Sequence, residues 1–199
     1  MQKALDRAVA SGALVGYGSD TTLIHTADSP THDDWWSSMS MAGLFNVLDD
    51  MYKSGNASLP VLSLATKHWD GVYVSHYYNW HAGSYSGAYT HVGTYKLKAD
   101  APDNTFDTLA KGFIVPLMEK LLAEGAVVEY EIDQEAIHTE SPDKFYIDYI
   151  TRDAAGLDKV NAVIQEMLKS NPLAGDAFST TLDSSAHSDS LSRTSAVYK

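Results

Sequence analysis

Histidine is the side chain of this sequence best suited to acid–base chemistry, because its ordinary pKa lies close to neutrality. Eight are spread along the chain: His25, His32, His68, His76, His81, His91, His138 and His187. Two of them form His-x-Asp pairs, His68 with Asp70 and His187 with Asp189. Residues two apart on a strand point to the same side and could share a cation. Asp70, however, falls in a predicted hairpin turn, where Asp is common for backbone reasons. We therefore predict no metal site.

The segment from 72 to 81 has the most unusual composition, with histidine, tyrosine and tryptophan in a predicted strand. Its alternation places His76, Tyr78 and Trp80 on one face. Equivalent faces of neighbouring predicted strands carry further polar and aromatic residues. The candidate ligand-binding residues are therefore His68, His76, Tyr78, Trp80, Tyr130 and Tyr149.

Two interpretations of this aromatic group remain open. A neutral histidine beside tyrosine hydroxyls could act as a general base or orient a polar ligand. Alternatively, aromatic and β-branched residues simply favour strands, and a half-buried histidine or tyrosine finds its own hydrogen bond.

The composition argues against several classes of function. Without cysteine, the chain has no disulfide, thiolate nucleophile, iron–sulfur cluster or thiolate zinc site. A formal net charge of -12, from 14 Lys+Arg against 26 Asp+Glu, argues against nucleic acid and anionic membrane surfaces as partners. No run approaches the roughly 18 apolar residues of a membrane span. We predict no cofactor, no nucleic-acid partner and no membrane partner.

The sequence leaves the cellular compartment open. Lys3, Asp6 and Arg7 interrupt what would be the apolar core of a signal peptide, so we expect no export signal in this chain. A soluble cytoplasmic protein and an exported protein with a removed signal both agree with the sequence.

Two segments repeat at an offset of 70 residues, and both predict helices. In 104–124, apolar residues recur at helical spacing from Phe106 to Leu122, and 33–54 has the same stripe with two small residues in it. Each segment stops at a glycine, Gly55 or Gly125, which suits a left-handed cap. Thr31 and Asp103 or Asn104 are the predicted N-caps. Pro116 predicts a kink in the second helix rather than its end.

Strands follow each of these helices. The predicted hairpins join 61–68 to 72–80 through Asp70-Gly71, and 127–138 to 144–152 through residues 140–143. A leading strand precedes each helix, at 14–25 and 89–98. Further helices are predicted at 155–170 and in the first residues of the chain, where Leu5 and Val9 begin an apolar stripe.

This order predicts a domain organisation of two repeats and a tail. Residues 1–88 form a first β-α-β-β unit with an N-terminal helix, and 89–172 form a second. Residues 173–199, rich in serine and threonine, form an extended arm. The predicted fold class is α+β, with antiparallel sheets covered by helices.

This arrangement resembles the dimeric α+β barrel group of ferredoxin-like proteins, here as a fused tandem pair. The resemblance rests on the element order and the internal repeat of residues 14–170. It implies an α+β barrel with a ligand place between sheet and helices. The group includes cofactor-free monooxygenases, haem-handling proteins, small isomerases and members without known activity, so it implies no single chemistry.

Three functions therefore compete. The first is a protein that binds a small, mostly apolar ligand against His76, Tyr78 and Tyr149. The second is a cofactor-free monooxygenase- or isomerase-like enzyme with His68 or His76 as its base. The third is a structural or interaction protein that self-associates. Whether the chain is an enzyme stays open. Histidine and tryptophan are concentrated in the strands of the first β-α-β-β unit, so we predict a single site formed mainly by residues 61–81.

Overall fold

The computed structural model describes residues 1–25, 29–56, 64–138 and 143–199. These ranges contain six α-helices and seven strands. In chain order they are α1 (Gln2–Ser11), β1 (Gly16–Ile24), β2 (His32–Ser37), α2 (Met41–Lys53), β3 (Tyr73–Trp80), β4 (Gly83–Lys96), α3 (Thr105–Leu109), α4 (Val115–Ala123), β5 (Val127–Glu135), β6 (Lys144–Thr151), α5 (Ala154–Ser170), α6 (Pro172–Thr181) and β7 (Ser188–Tyr198). None of the helices in these ranges has the length and apolar character needed to cross a membrane.

All seven strands belong to one antiparallel sheet, in the order β2-β1-β7-β4-β6-β5-β3. Within it, β4, β5, β6 and β7 with the intervening helices make a ferredoxin-like unit whose strand order is β7-β4-β6-β5. The hairpin of β1 and β2 extends this unit beside β7, and β3 extends it beside β5. The predicted α+β class is thus confirmed, while the tandem duplication stays a prediction.

The helix predicted at 104–124 is present as α3 and α4, joined by a π-helical turn at Ala110–Ile114. A π turn widens the helix just before Pro116, whose missing N–H would otherwise leave a gap in the hydrogen-bond ladder. Gly125 follows with a positive φ of 72° and gives the predicted left-handed cap. The predicted helices at 155–170 and at the N-terminus are confirmed as α5 and α1.

The helix predicted at 33–54 is wrong for the first part of that segment. Residues 32–37 form β2, and the helix starts only at Met41. The local reason is the cap, since the Ser40 side chain accepts a hydrogen bond from the Gly43 N–H at 3.0 Å. Thr31 is therefore not the N-cap, and the adjacent tryptophans of 32–37 adopt the strand conformation that aromatic residues favour.

The predicted extended arm at 173–199 is also wrong. It begins with α6 and ends in β7, which lies between β1 and β4 near the middle of the sheet. Of the strand predicted at 61–68, residues 61–63 lie outside the described residues, and 64–68 are not in a strand. The turn predicted at 140–143 lies outside them too, apart from Asp143.

The helices cover one face of the sheet as two separate layers, each on a different part of the sheet. One layer, from α3 to α5, packs on β5 and β6 around buried residues such as Leu121, Ile132 and Phe145. The other, of α1 and α2, packs on β1. A third apolar cluster contains only residues from strands and the segments beside them, and it lies on the opposite face. There the sheet curls so far that Ser37 on edge strand β2 reaches Glu131 on β5, with 3.5 Å between Oγ and Oε1.

Candidate functional site

The face of the sheet that points away from the helices, called here the inner face, collects buried acidic side chains. We refer to five of the carboxyls on it as the carboxylate layer: Asp20 of β1, Glu129, Glu131 and Asp133 of β5, and Asp148 of β6. Glu135 of β5 shares this face and is also buried, at 7% exposure. Glu131 and Asp148 are directly opposite each other in the pairing of β5 with β6. Asp33, paired with Asp20 across β1 and β2, continues the layer to the solvent-exposed edge.

Exposure divides the carboxylate layer into a closed and an open part. The side chains of Asp20, Glu129 and Asp133 are buried, with residue exposures of 5%, 3% and 5%. Glu131 and Asp148 are only half-buried, as are Ser37 and Ser75 beside Glu131. The layer is therefore nearest to solvent on the side of Glu131 and Asp148.

Burial makes the charged form of these acids costly. It raises the pKa of Asp20 to about 6, with Asp33 nearby adding to the shift. The pKa values of Glu129, Asp133 and Asp148 are raised well above the ordinary range, first by burial and then by neighbouring carboxylates. Burial also raises the pKa of Glu131.

Hydrogen bonds satisfy only part of this layer. The Ser75 hydroxyl donates to Glu131 at 2.9 Å, and Asp133 shares a hydrogen bond with Glu131. Thr194, Thr90 and Trp35 stabilise the charged form of Asp20 through hydrogen bonds. One buried oxygen, Oδ1, of each of Asp20, Asp133 and Asp148 has no hydrogen-bond partner in the structure. Such oxygens are ready to accept a bond from an added donor.

An aromatic row crosses the inner face beside the carboxylate layer. Trp35 of β2 and Trp80 of β3 flank Tyr198 of β7, with ring centroids 5.6 and 6.0 Å away, and Tyr78 stacks on Trp80 at 5.8 Å. The indole N–H of Trp80 donates to the carbonyl of Lys199 at 2.9 Å. Nearby carboxylates of the layer add to burial in raising the pKa of Tyr198, so this tyrosine lies where the aromatic row meets the acids.

A second polar cluster lies on the helix-facing side of the sheet, on β4 and at the start of β7. His91 Nε2 and His187 Nε2 lie 3.4 and 3.3 Å from the two carboxylate oxygens of Asp189. His187 Nδ1 donates to the Thr94 carbonyl at 2.9 Å, and His91 stacks on Tyr149 with centroids 4.7 Å apart. Burial lowers the pKa of His91, although Asp189 opposes the shift. Its buried Nδ1 lacks a hydrogen-bond partner.

The structure separates the six residues selected from the sequence. Tyr78 and Trp80 lie on the inner face, in the aromatic row. His76 is displaced from them by an irregularity in the pairing between Ser75 and Tyr77. It lies exposed on the helix-facing side and contacts Phe106, with centroids 5.3 Å apart. Tyr130 and Tyr149 lie in the core beneath the helices. His68 is exposed in a loop, 3.5 Å from Asp70.

The space between sheet and helices, where the resemblance places a ligand, is filled by core side chains over β5 and β6. Two hollows, of about 350 and 420 Å³, lie on the outside of the helical layer. Neither touches the carboxylate layer or a predicted site residue. Among the residues that the structure describes, no three histidine, aspartate or glutamate side chains are arranged to hold a metal ion.

The carboxylate layer escaped the sequence interpretation, although a signal was present. In β5, Glu129, Glu131 and Asp133 alternate with Tyr130 and Ile132. A strand with acids on one face ordinarily has that face in water. Only the curl of the sheet, which brings the opposite edge over this face, encloses them.

Comparisons with known proteins show the fold. A putative monooxygenase from Lactobacillus acidophilus has a TM-score of 0.63 and 10% identity over 97% of this chain and 83% of its own. A putative monooxygenase from Fusobacterium nucleatum has a TM-score of 0.63 and 8% identity over 100% of this chain and 86% of its own. An anthrone oxidase-like protein has a TM-score of 0.54 and 9% identity over 97% and 84%. No family model matches this sequence, and the comparison with curated proteins found no match.

The fold and site define a ferredoxin-like α+β protein with a curled antiparallel sheet whose inner face is acidic and aromatic. This chain shares its architecture with those proteins, but at 8 to 10% identity the likeness says nothing about its chemistry.

Proposed function

We propose that this protein binds a small organic molecule inside its curled sheet. One observation carries this proposal: on the inner face, a buried apolar floor lies next to a half-buried polar wall. Ligand sites combine apolar walls with a few polar groups that fix orientation.

The floor is formed by buried residues from several strands. Val128, Ile150 and Ala196 are 0%, 1% and 2% exposed, and the aromatic row borders them. The wall carries Glu131, Asp148, Ser75 and Ser37, which solvent reaches. A ligand with an apolar body and one polar group fits this division, with the body toward the floor.

This proposal keeps part of the site inferred from sequence. Tyr78 and Trp80 border the proposed ligand, whereas Tyr130 and Tyr149 pack beneath the helices. His76 lies exposed against Phe106, and His68 stays in its loop. The ligand place moves from the space under the helices to the opposite face of the same sheet.

Thermal unfolding with a panel of small aromatic acids, alcohols and amines tests the proposal. We expect at least one compound to raise the melting temperature, and Trp80→Leu to abolish that shift because it removes the stacked indole. Trp69→Leu is the matched control, since Trp69 is 54% exposed and outside the sheet. A panel without any stabilising compound, or a shift equal in both variants, would overturn the proposal.

An oxygen-dependent or isomerising enzyme is the second candidate, and the His91–Asp189 pair favours it. A carboxylate orients one imidazole nitrogen while the other is left without a partner, as in a general base. Burial lowers the pKa of His91, so the imidazole is neutral and able to accept a proton at neutral pH. The proteins of similar structure that are named monooxygenase or anthrone oxidase-like agree with this candidate.

Oxygen uptake with anthrone as the probe tests this second candidate. A base that removes the ring-methylene proton would let O₂ convert anthrone to anthraquinone and water. We expect His91→Gln to lower the rate by about 100-fold, the usual contribution of a general base. His68→Gln, a change in an exposed loop, should leave the rate unchanged. Uptake at the uncatalysed rate with the unaltered protein would exclude anthrone oxidation, and equal rates in both variants would exclude His91 as the base.

A further inference from the structure

Among the described residues, the five acids of the carboxylate layer have no positive partner. The pKa values of its five acids are shifted by burial, by other carboxylates and by hydroxyl or indole hydrogen bonds. No lysine, arginine or histidine of the described residues contributes to these shifts. Lys96 and Lys144 share the inner face only at the strand ends, four residues or about 13 Å along β6 from Asp148.

Buried carboxyls in this situation either keep their protons or meet a cation. Protons alone leave an unmet requirement here, because the buried Oδ1 atoms of Asp20 and Asp133 still have no hydrogen-bond donor. Both side chains are 5% exposed, so bulk water does not serve them. An N–H donor that carries positive charge would satisfy both the oxygens and the charge.

The aromatic row specifies the rest of the ligand. The faces of tryptophan and tyrosine rings attract cations, most strongly organic ammonium groups freed of water. Trp80 is paired with Glu129 and Tyr78 with Glu131 across β3 and β5, so rings and acids alternate within one strand pair. A bare metal ion would use neither the rings nor the apolar floor, and the described acids are not grouped to coordinate one.

We propose that the inner face binds an organic ammonium ion, with its nitrogen between Glu131, Asp133 and Asp148 and its apolar part against Trp80 and Tyr198. This inference rests on the proposed function, because it names the ligand class of the same site. The nitrogen donates to the carboxylate oxygens, and the carboxyl protons leave to solvent as the ammonium binds.

Binding should therefore weaken as the pH falls and the acids become protonated. The titratable or charged groups that share this face are Asp20, Asp33, Tyr73, Tyr78, Tyr85, Lys96, Glu129, Glu131, Asp133, Glu135, Lys144, Tyr146, Asp148 and Tyr198, with Arg152 over the Tyr85 ring at the end of β6. The acids outnumber the two lysines and the arginine, which lie at the strand ends, so the net effect of lower pH is loss of negative charge around the ammonium.

Calorimetric titration with three probes of similar shape tests the ligand class. The probes are 2-phenylethylamine, which is cationic, 2-phenylethanol, which is neutral, and 3-phenylpropanoate, which is anionic. We expect the amine to bind at least about tenfold more tightly than the alcohol and the carboxylate not to bind. Titrations in buffers of different ionisation enthalpy should show proton release with the amine alone.

Asp148→Asn and Glu131→Gln remove charge with little change of shape, and each should weaken amine binding by about tenfold. Asp34→Asn is the matched control, because Asp34 is exposed on β2 and paired with Ser19 on the other face. Two variants are used so that misfolding of one does not decide the result, and circular dichroism checks the fold of each.

Different failures are distinguishable. If the alcohol binds as tightly as the amine and depends on Trp80, the site exists but its ligand is not cationic. If magnesium or calcium ions displace the amine, the layer is a metal site instead. If the amine binds equally well to Asp148→Asn and Asp34→Asn, it lies elsewhere. Absence of stabilisation by the whole compound panel overturns the proposed function itself.

Discussion

Single carboxyl groups set the unusual chemistry of this molecule. A surface aspartate is ionised at neutral pH, but Glu129 is 3% exposed and close to four other acids, so its pKa is raised and its neutral form is favoured. A neutral carboxyl can donate a hydrogen bond, as Asp133 does toward Glu131. Neighbouring acids therefore share protons, and the arrival of a positive ligand would change the protonation of several at once.

Gly18 is the residue that lets Trp35 lie flat on the inner face. It pairs with Trp35 across β1 and β2, and a Cβ at this position would collide with the indole ring. We expect Gly18→Ala to lower the free energy of unfolding by about 1–3 kcal/mol, the usual cost of overpacking. Urea unfolding measures it.

Gly112 provides the control for this change. No atom lies within 4 Å of a Cβ added there, and the residue lies in the π turn. Gly112→Ala should be neutral or stabilising by up to about 1 kcal/mol, because glycine is costly in helices. Equal destabilisation by both substitutions would contradict the role assigned to Trp35.

The site could be predicted from sequence only in part, at the level of residues. The dense aromatic composition of 72–81 correctly drew attention to a strand whose Tyr78 and Trp80 lie in the aromatic row. A pairing irregularity beside His76 could not be foreseen, and it moves that histidine to the opposite face. His91 and Asp189 are 98 positions apart in the chain, so no local spacing connects them.

At the level of elements, segments with strong hydrophobic periodicity were predicted correctly, whereas β7, with weak periodicity, was not. The helices at 104–124 and 155–170 have long apolar stripes, and both are present. β7 has serine, threonine or alanine at most inward positions, so its alternation of hydrophobicity is faint. Those small residues suit a strand whose inward side is enclosed by a tightly curled sheet. This tertiary packing cannot be read from the local sequence pattern.

The central position of β7 should make it essential for folding. It pairs with β1 on one side and β4 on the other, so its loss would leave two separate groups of strands. We expect a chain ending at His187 to lack cooperative unfolding and to expose its apolar core. Circular dichroism on heating and dye binding measure this. A synthetic peptide of residues 188–199, added in trans, should restore cooperative unfolding, whereas one of the same composition in scrambled order should not. A truncated chain that unfolds like the intact one would disprove the central role.

At the scale of the whole molecule, the formal charge of -12 overstates the charge of the folded state at neutral pH. It counts the buried acids as ionised, while burial raises the pKa values of Glu129, Asp133 and Asp148 well above the ordinary range. Unfolding releases these groups to water, where they ionise. Folding is therefore linked to proton uptake at pH values at which most proteins show little such linkage.

The stability of the protein should consequently fall as the pH rises. A carboxyl whose folded pKa exceeds its unfolded pKa stabilises the fold fully below the unfolded value, near pH 4, and this contribution is lost as the pH rises through the folded value. For Asp20, whose folded pKa is about 6, the loss amounts to roughly 3 kcal/mol. Glu129, Asp133 and Asp148 extend the loss to higher pH. His91 acts in the opposite direction, since its lowered pKa costs stability as the pH falls below about 6.5.

Urea unfolding between about pH 4.5 and pH 8 measures the balance, and the acids should prevail because several oppose one histidine. Glu129→Gln isolates one of them: it removes the ionisable group but keeps the size of the side chain. The variant should gain stability relative to the unaltered protein at the upper end of the range and show little gain at the lower end. Asp34→Asn, on the exposed side of β2, should follow the unaltered protein throughout. A midpoint that rises steadily with pH would mean that the layer is already neutralised by cations in the free protein.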